Sequence, residues 1–323
     1  MIDRTKKYFY YRKNSVIIQE KFLKEEVNGM ASFVIHHIAG EHFLSILKEK
    51  YQLELSPEQE KRFLLGNLIV DSSRITADIP KNLTKEELKE LKQVIRDRKQ
   101  KEKIETHFRS ELDVDYCIQA PQIAKFLSYY ENLSKTDFSA LGYLFHLYTD
   151  KMFFDNLFAE TFECLDIYGK PTIYIKDTTY MRVKKNEVIY NIKDFWDNTS
   201  TFSIYQDYTV MNKILLEYYG TTFLEEEFLN FISFFINPGI KEVDYQNITD
   251  VIHKTSSFFQ ESYQVNNTHL NIFDTNQVKQ FIEKVAINFV ADYGFILENI
   301  IAMKKSQNIL QRKKQPLKEG KQC

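Results

Sequence analysis

The sequence predicts an almost entirely helical protein built around one large domain. Its 323 residues include only 9 glycines and 6 prolines, too few turn formers for a many-stranded sheet. Apolar residues make up 43% of the chain, and 26 phenylalanines and 20 tyrosines supply ample bulk for a packed core. Apolar side chains recur at three- and four-residue spacings through most of the sequence, which is the period of a helix.

The N-terminal half, residues 30–162, contains a series of segments with this helical period. Two of them begin at recognisable caps. Ser56 precedes a proline at the first helical position, and Thr84 opens a strongly charged segment. The predicted helices of this half span 31–50, 56–66, 84–103, 117–133 and 137–162.

The C-terminal half, residues 199–304, is predicted to be helical after a short β-like excursion. The runs 172–175 and 187–190 are rich in β-branched residues, and they indicate either a small hairpin near 172–190 or an irregular stretch. The polar, basic tail 305–323 is expected to be disordered. The predicted helices of this half span 199–219, 222–236, 246–263 and 275–304.

Residues 1–29 are either a translated leader or a genuine N-terminal extension. The segment 24–27, Lys-Glu-Glu-Val, can be encoded by GAGGAGGT, which has the form of a bacterial ribosome-binding site. Met30 follows after a short spacer and would then be the natural start of a bacterial protein. The N-terminus lacks the unbroken apolar region of a secretory signal.

Charge, hydropathy and cysteine content restrict the environment of the protein. A formal net charge of −2 argues against nucleic acid as a partner and against strong attraction to an anionic membrane. No apolar run approaches the length of about 18 residues that a transmembrane helix requires. The three cysteines lie far apart in the sequence and form no CxxC pair, which indicates reduced thiols in a cytoplasmic protein.

The segment LGYLFHLYTD places His146 and Asp150 one helical turn apart on the same face. Both residues are embedded among leucine, phenylalanine and tyrosine, and a buried carboxylate requires a partner. A metal ion bound by both side chains is one such partner. A direct histidine–aspartate hydrogen bond is the other, and the sequence leaves the two open.

Other candidate ligands lie on separate elements of the same half. Asp71 ends the apolar run FLLGNLIVD and could also be a turn or cap residue. His107 ends the charged helix and could be an ordinary histidine of a helix C-terminus. His36 and His37 lie on an apolar helix about 100° apart, so only one is expected to face the core. Zinc takes about four nitrogen and oxygen ligands, and Asp71, His107, His146 and Asp150 would fill one site.

These stretches, SFVIHHIAG, FLLGNLIVDSS, THFR and LGYLFHLYTD, resemble the zinc-dependent phospholipase C family, whose helical fold is shared with S1/P1-type nucleases. The resemblance covers about residues 30–158. It implies that metal ligands follow one another along the chain in the order His36 or His37, Asp71, His107, His146 and Asp150.

The chain departs from that family in its later ligands. Secreted members use the mature N-terminal amine, another histidine and an HxxxE pair. Here His253 and His269 have no carboxylate four residues on. We therefore expect one or two zinc ions, or another divalent transition metal, rather than three. Asp155 and Asp207 are candidate substitute ligands, and Asp207 could equally cap a helix.

The resemblance implies a hydrolase that cleaves a phosphodiester or phospholipid-type substrate with a metal-bound hydroxide. Asp71 would orient or deprotonate the attacking water. Arg74 and Arg109 would hold the substrate phosphate, although either could simply be a surface residue. The alternative is a non-catalytic helical binding protein with a structural or vestigial His–Asp cluster. A hydrolase of another bond, such as an amide, also fits these residues.

Overall fold

A computed structural model shows a mostly helical protein with a small antiparallel sheet, which confirms the predicted fold class. The N-terminal half contains helices α1 (Phe33–Tyr51), α2 (Pro57–Ile69), α3 (Lys85–Thr106), α4 (Ile123–Ser134) and α5 (Phe138–Met152). The structure describes residues 32–72, 83–113, 115–196, 203–235, 237–266 and 269–314. The segment 1–29, the subject of the leader prediction, lies outside these ranges.

Both predicted N-terminal caps are confirmed as reciprocal capping boxes. The Ser56 hydroxyl accepts from the Gln59 N–H, and the Gln59 side chain accepts from the Ser56 N–H. Thr84 and Glu87 form the same pair at the start of α3. Ser32 caps α1 in addition by accepting from the Ile35 N–H. These side chains satisfy N–H groups that have no partner within the helix.

The predicted helix 137–162 is a continuous helical path with a change of pitch. After α5 the chain widens into a π-helical segment, Phe153–Phe158, and ends in a short α6, Ala159–Thr161. The predicted helix 117–133 begins later than expected, at Ile123. Residues before it are extended, because the Cys117 N–H donates to the Ile173 carbonyl instead of to a helical turn.

The small sheet contains β1 (Phe162–Leu165), β2 (Tyr180–Val183) and β3 (Val188–Asn191), in that order. All pairs are antiparallel, and β2 and β3 form a hairpin in which Val183 pairs with Val188. The second predicted β run, 187–190, corresponds to β3. The first, 172–175, is wrong as a strand of the hairpin. It contributes one isolated bridge, Tyr116 to Tyr174, and a 3₁₀ turn at Ile175–Asp177.

The four predicted C-terminal helices all occur, with shifted bounds. They are α8 (Ile204–Tyr219), α9 (Glu225–Phe231), α10 (Ile248–Gln264) and α11 (Thr275–Lys314), with 3₁₀ turns at Ile232–Phe234 and Tyr245–Asn247. A short helix that was not predicted, α7 (Ile192–Phe195), precedes them. α11 has non-helical backbone angles at Tyr293 and continues to Lys314, past residue 305, where the predicted tail begins. Residues 315–323 lie outside the described ranges.

Two glycines bring α2 and α5 into backbone contact. A Cβ atom at Gly66 would lie 2.0 Å from the Ser139 carbonyl oxygen, and one at Gly142 would lie 2.1 Å from the Phe63 carbonyl oxygen. Since neither position has room for a side chain, only glycine allows this approach. The contact places the end of α2, including Asn67, directly against His146 of α5.

The stretch Thr275–Ala302 of α11 is long and apolar enough to cross a membrane by length and composition alone. Its inward side chains, among them Val278, Ile282 and Phe289, are fully buried. The buried share of its apolar window is 39%, and core helices meet the same criterion of length and composition. The described residues therefore contain no clear transmembrane segment.

Candidate metal centre

Five of the predicted site residues converge at one place in the core. α1 contributes His36, and Asp71 lies two residues beyond the end of α2. His107 ends α3, while His146 and Asp150 lie one turn apart on α5. Four of these side chains are completely buried, and that of Asp71 is 10% exposed. Asp71 is thus the cluster residue in contact with solvent.

A backbone carbonyl fixes how His146 is protonated. The Nδ1 atom of His146 lies 2.6 Å from the Asn67 carbonyl oxygen. A carbonyl can only accept, so in the neutral ring Nδ1 carries the hydrogen and Nε2 carries a lone pair. The Nδ1 atom of His107 lies 3.2 Å from the Lys103 carbonyl oxygen and 2.9 Å from the Thr106 hydroxyl, so it can donate to the first or accept from the second.

The Nε2 atoms of the two histidines face each other and two carboxylates. The Nε2 atoms of His107 and His146 are 3.4 Å apart. Oδ1 of Asp71 lies 3.4 Å from His107 Nε2, and Oδ2 of Asp150 lies 3.5 Å from the same atom. His146 Nε2 is 3.8 Å from Asp150 and 3.9 Å from Asp71. Four candidate ligand groups therefore surround a common point.

His36 extends the cluster on the far side of Asp150. Its Nε2 atom lies 3.2 Å from Asp150 Oδ1, and its ring stacks on His146 with centroids 3.8 Å apart. Neither nitrogen of His36 and neither oxygen of Asp150 has a hydrogen-bond partner of acceptable geometry among the described residues. Buried polar atoms are almost always hydrogen-bonded, so these atoms are candidates for binding a ligand.

The donor spacing fits a small divalent cation. Bonds of about 2.0–2.2 Å from nitrogen and carboxylate oxygen in a tetrahedral site put neighbouring donors roughly 3.3–3.6 Å apart. Three of the spacings above are 3.4–3.5 Å and the other two are below 4 Å. Two sets of three residues have ligand atoms that all lie within 4.8 Å of one another. The first set is His146 with His36 and Asp71, and the second is His146 with His107 and Asp150.

Burial also gives the cluster the charge that a cation needs. It lowers the pKa of His146 to about 3 and lowers the pKa of His107, so both imidazoles are neutral at pH 7. Burial raises the pKa of Asp71 and Asp150, but hydrogen bonding by His107 to Asp71 and by His36 to Asp150 brings the pKa of both carboxyls below the ordinary value. Neutral imidazoles and ionised carboxylates are the metal-binding forms of these groups.

The structure selects His36 over its neighbour. The ring of His37 points away from the cluster and lies edge-on to Phe223 and Phe259, at centroid distances of 5.3 and 5.4 Å. Its Nε2 atom is 3.5 Å from Oε1 of Glu41. His37 is therefore a core histidine on the opposite side of α1.

Both candidate substitute ligands lie elsewhere. Asp155 is exposed and forms an ion pair with Lys151. Asp207 accepts hydrogen bonds from three successive backbone N–H groups, at residues 271–273, at 2.7–2.9 Å. The prediction of Asp207 as a helix cap is also wrong, because Ser203 caps α8. Asp207 instead holds the loop before α11 against the start of α8.

Of the two candidate phosphate ligands, Arg74 lies outside the described residues. Arg109 is buried rather than a solvated surface residue, and its guanidinium lies over the Phe154 ring at 5.6 Å. It is close enough to Asp71 and Asp150 to interact electrostatically with both. Arg109 thus offsets part of the negative charge of the cluster.

Sequence reasoning missed the residues that support the ligands. The Asn67 side chain donates to the His36 carbonyl at 2.6 Å, while its own carbonyl binds His146. Tyr143 donates to the Thr106 carbonyl beside His107. The sequence does contain a signal for Asn67, since it is a polar amide within the apolar run FLLGNLIV. In the structure this amide is fully buried and supports two of the cluster histidines.

No protein-family model, curated protein or solved structure matches the chain. The likeness to the zinc-dependent phospholipase C family accordingly rests on the sequence stretches alone and stays a prediction.

Proposed function

We propose that this protein is a metal-dependent hydrolase in which the His–Asp cluster binds one or two divalent cations, zinc being the preferred ion. The supporting observation is the pair of Nε2 atoms that face each other between two carboxylates in the core. Imidazole nitrogens together with carboxylate oxygens are a donor set that zinc favours. The resemblance to the phospholipase C family suggests a phosphodiester or phospholipid-type substrate.

Each residue of the cluster has a distinct role in this proposal. In this proposal His107, His146 and Asp150 hold the first ion, and His36 and Asp71, whose donor set also includes His146, are the candidate ligands of a second. A cation bound there would lower the pKa of a coordinated water toward 7 and offset charge on a phosphoryl oxygen. Asp71, at the solvent-facing edge, would orient that water. Arg109 would stabilise negative charge on the substrate, since it is a buried cation beside both carboxylates.

The alternative is a non-catalytic helical protein with a structural metal centre. The observation that favours it is burial, since four of the five cluster side chains have no exposed surface. Catalytic zinc sites keep a position open for water and substrate, whereas structural sites are closed. Asp71 alone offers access among the described ligands. A cytoplasmic location remains part of either proposal, and Cys117 and Cys164 are free thiols.

Metal content measured by elemental mass spectrometry on untagged protein tests the site. We expect about one or two equivalents of zinc or another transition metal in the wild type and a loss in Asp150→Asn. Asp155→Asn is the matched control, because it makes the same change on an exposed, ion-paired carboxylate. His36→Gln should lower the metal content more than His37→Gln. Equal metal content in both pairs, or none in the wild type, would refute the site.

Hydrolysis is tested separately on the metal-loaded protein. We expect turnover of bis-p-nitrophenyl phosphate or of a phosphatidylcholine, lost on chelation and reduced in Asp71→Asn with its metal still bound. Metal binding without turnover of either substrate would support the structural alternative. Turnover that survives complete removal of metal would contradict both proposals.

A further inference from the structure

Two cysteines that are distant in the sequence meet beside the sheet. Cys117 lies in the extended segment between α3 and α4, and Cys164 lies in β1. The intervening loop holds both: the Cys117 N–H donates to the Ile173 carbonyl at 2.8 Å, and the Thr172 N–H donates to the Cys164 carbonyl at 2.9 Å. The two thiols share a side-chain hydrogen bond.

The two thiols differ in their surroundings. Cys164 is buried, while Cys117 is partly exposed. The Cys117 sulfur also lies 3.1 Å from the Thr178 hydroxyl. Hydrogen bonding by Cys164 is the main cause that lowers the pKa of Cys117 to about 7, against burial, which raises it. The pKa of Cys164 is raised, first by that same hydrogen bond and then by burial. One thiol is thus the nucleophile, and the other is its neutral partner.

We propose that Cys117 is a site of reversible thiol modification and that Cys117 and Cys164 form a dithiol–disulfide pair. The inference is independent of the proposed hydrolase activity. The oxidant is a small disulfide such as oxidised glutathione. The Cys117 thiolate attacks one sulfur of that disulfide, which forms a mixed disulfide and releases one thiolate. Cys164 then loses its proton and attacks the Cys117 sulfur. This step closes the Cys117–Cys164 bond and releases the second thiol.

The Cys117–Cys164 disulfide would link two segments of the chain that each follow residues of the candidate metal centre. Cys117 follows His107 and Arg109 along the chain, and Cys164 follows the π-helical segment that extends α5 beyond Asp150. The closed disulfide would therefore tie the segment after α3 to the strand after α5. Such a cross-link restricts the unfolded chain, and it should raise the temperature of thermal unfolding.

The test uses the full chain with Cys323→Ser, which removes the remaining cysteine. The protein is incubated with oxidised glutathione, blocked with N-ethylmaleimide and digested with trypsin without reduction. We expect a cross-linked pair of peptides, 110–125 and 152–176, with a mass two hydrogens below their sum. Adding Cys164→Ser should leave a glutathione adduct on Cys117. Adding Cys117→Ser should leave Cys164 unmodified over the same time.

Two outcomes would overturn the proposal. One is a glutathione adduct on Cys117 that never converts to the cross-linked peptides although Cys164 is present. The other is alkylation of Cys117 by iodoacetamide no faster at pH 7 than alkylation of Cys323 in the wild-type protein. The expected result is a rate for Cys117 with its midpoint near pH 7, below the value of about 8.5 for an ordinary thiol.

Discussion

Replacing Gly142 with alanine should both destabilise the fold and weaken metal binding. The new Cβ would lie 2.1 Å from the Phe63 carbonyl oxygen and 2.9 Å from the Asn67 nitrogen, both in the backbone of α2. Ordinary contact begins near 3.4 Å, so α2 and α5 must separate by about 1.3 Å (3.4 − 2.1). No flexible side chain is available to absorb the clash.

The separation acts directly on the metal centre. The 2.6 Å contact between His146 Nδ1 and the Asn67 carbonyl would lengthen to about 3.9 Å (2.6 + 1.3), beyond hydrogen-bonding distance. Forcing an extra methyl group into a packed core costs about 1–3 kcal/mol, and losing the hydrogen bond adds about 1 kcal/mol. We expect a loss of about 2–4 kcal/mol in the free energy of unfolding and a fall of about 10–100-fold in metal affinity.

Urea unfolding followed by circular dichroism measures the first effect, and competition with a zinc chelator measures the second. Gly294→Ala is the matched control, because a Cβ at that position in α11 meets nothing within 4 Å. It should leave metal affinity unchanged and stability equal or slightly higher. If Gly142→Ala unfolds within 0.5 kcal/mol of the wild type (roughly the usual scatter of surface substitutions) and binds metal normally, the reasoning is refuted.

Three further predictions concern acidity, metal removal and the Asp207 loop. Burial holds the pKa of folded His146 at about 3 against about 6.5 when unfolded, so stability is full above pH 6.5 and is lost as the pH falls toward 3. Metal-free protein should therefore lose about 1 kcal/mol between pH 7 and 5.5 through this residue in urea unfolding, and His146→Gln should not show that loss. Chelation should lower the thermal midpoint, and added zinc should restore it, whereas an unchanged midpoint would argue against binding to the native state. Asp207→Asn should cost about 1–3 kcal/mol and speed hydrogen exchange at residues 271–273 without changing metal content, since its carboxylate holds those three N–H groups.

The sequence predicted the helical fold and five residues that converge in the His–Asp cluster, because both predictions depend on local patterns. The HxxxD spacing puts His146 and Asp150 on one face of any helix, and capping residues locate helix ends. The sequence could not decide whether His36 or His37 faces the cluster. That choice depends on how α1 is rotated against α5, which the tertiary packing sets. Asn67 was missed for the same reason, because its contacts join three helices that are distant in the sequence.

The misplaced strand has a comparable cause. Residues 172–175 are β-branched or aromatic, but Ile173 is 62% exposed and Ile175 is 53% exposed. β2 instead places Met181 and Val183 in the core on alternate positions. Amino-acid composition favoured a strand at 172–175, whereas the strand forms at Tyr180–Val183, where one face is buried. The Cys117–Cys164 contact was equally hidden, since the sequence shows two cysteines without a motif.

The protonation of the histidines bears on the alternative that the sequence left open, a simple His–Asp hydrogen bond. A neutral imidazole has one N–H, and His146 gives it to the Asn67 carbonyl. Nε2 of His146 therefore cannot donate to Asp150. Protonating the ring would supply a second N–H, but burial lowers the pKa of His146 to about 3. His107 differs, because its Nδ1 can accept from the Thr106 hydroxyl and leave Nε2–H to donate to Asp71. A His146–Asp150 hydrogen bond is thus excluded for the neutral ring, and the cation of the proposed metal centre is the partner that we propose for these carboxylates.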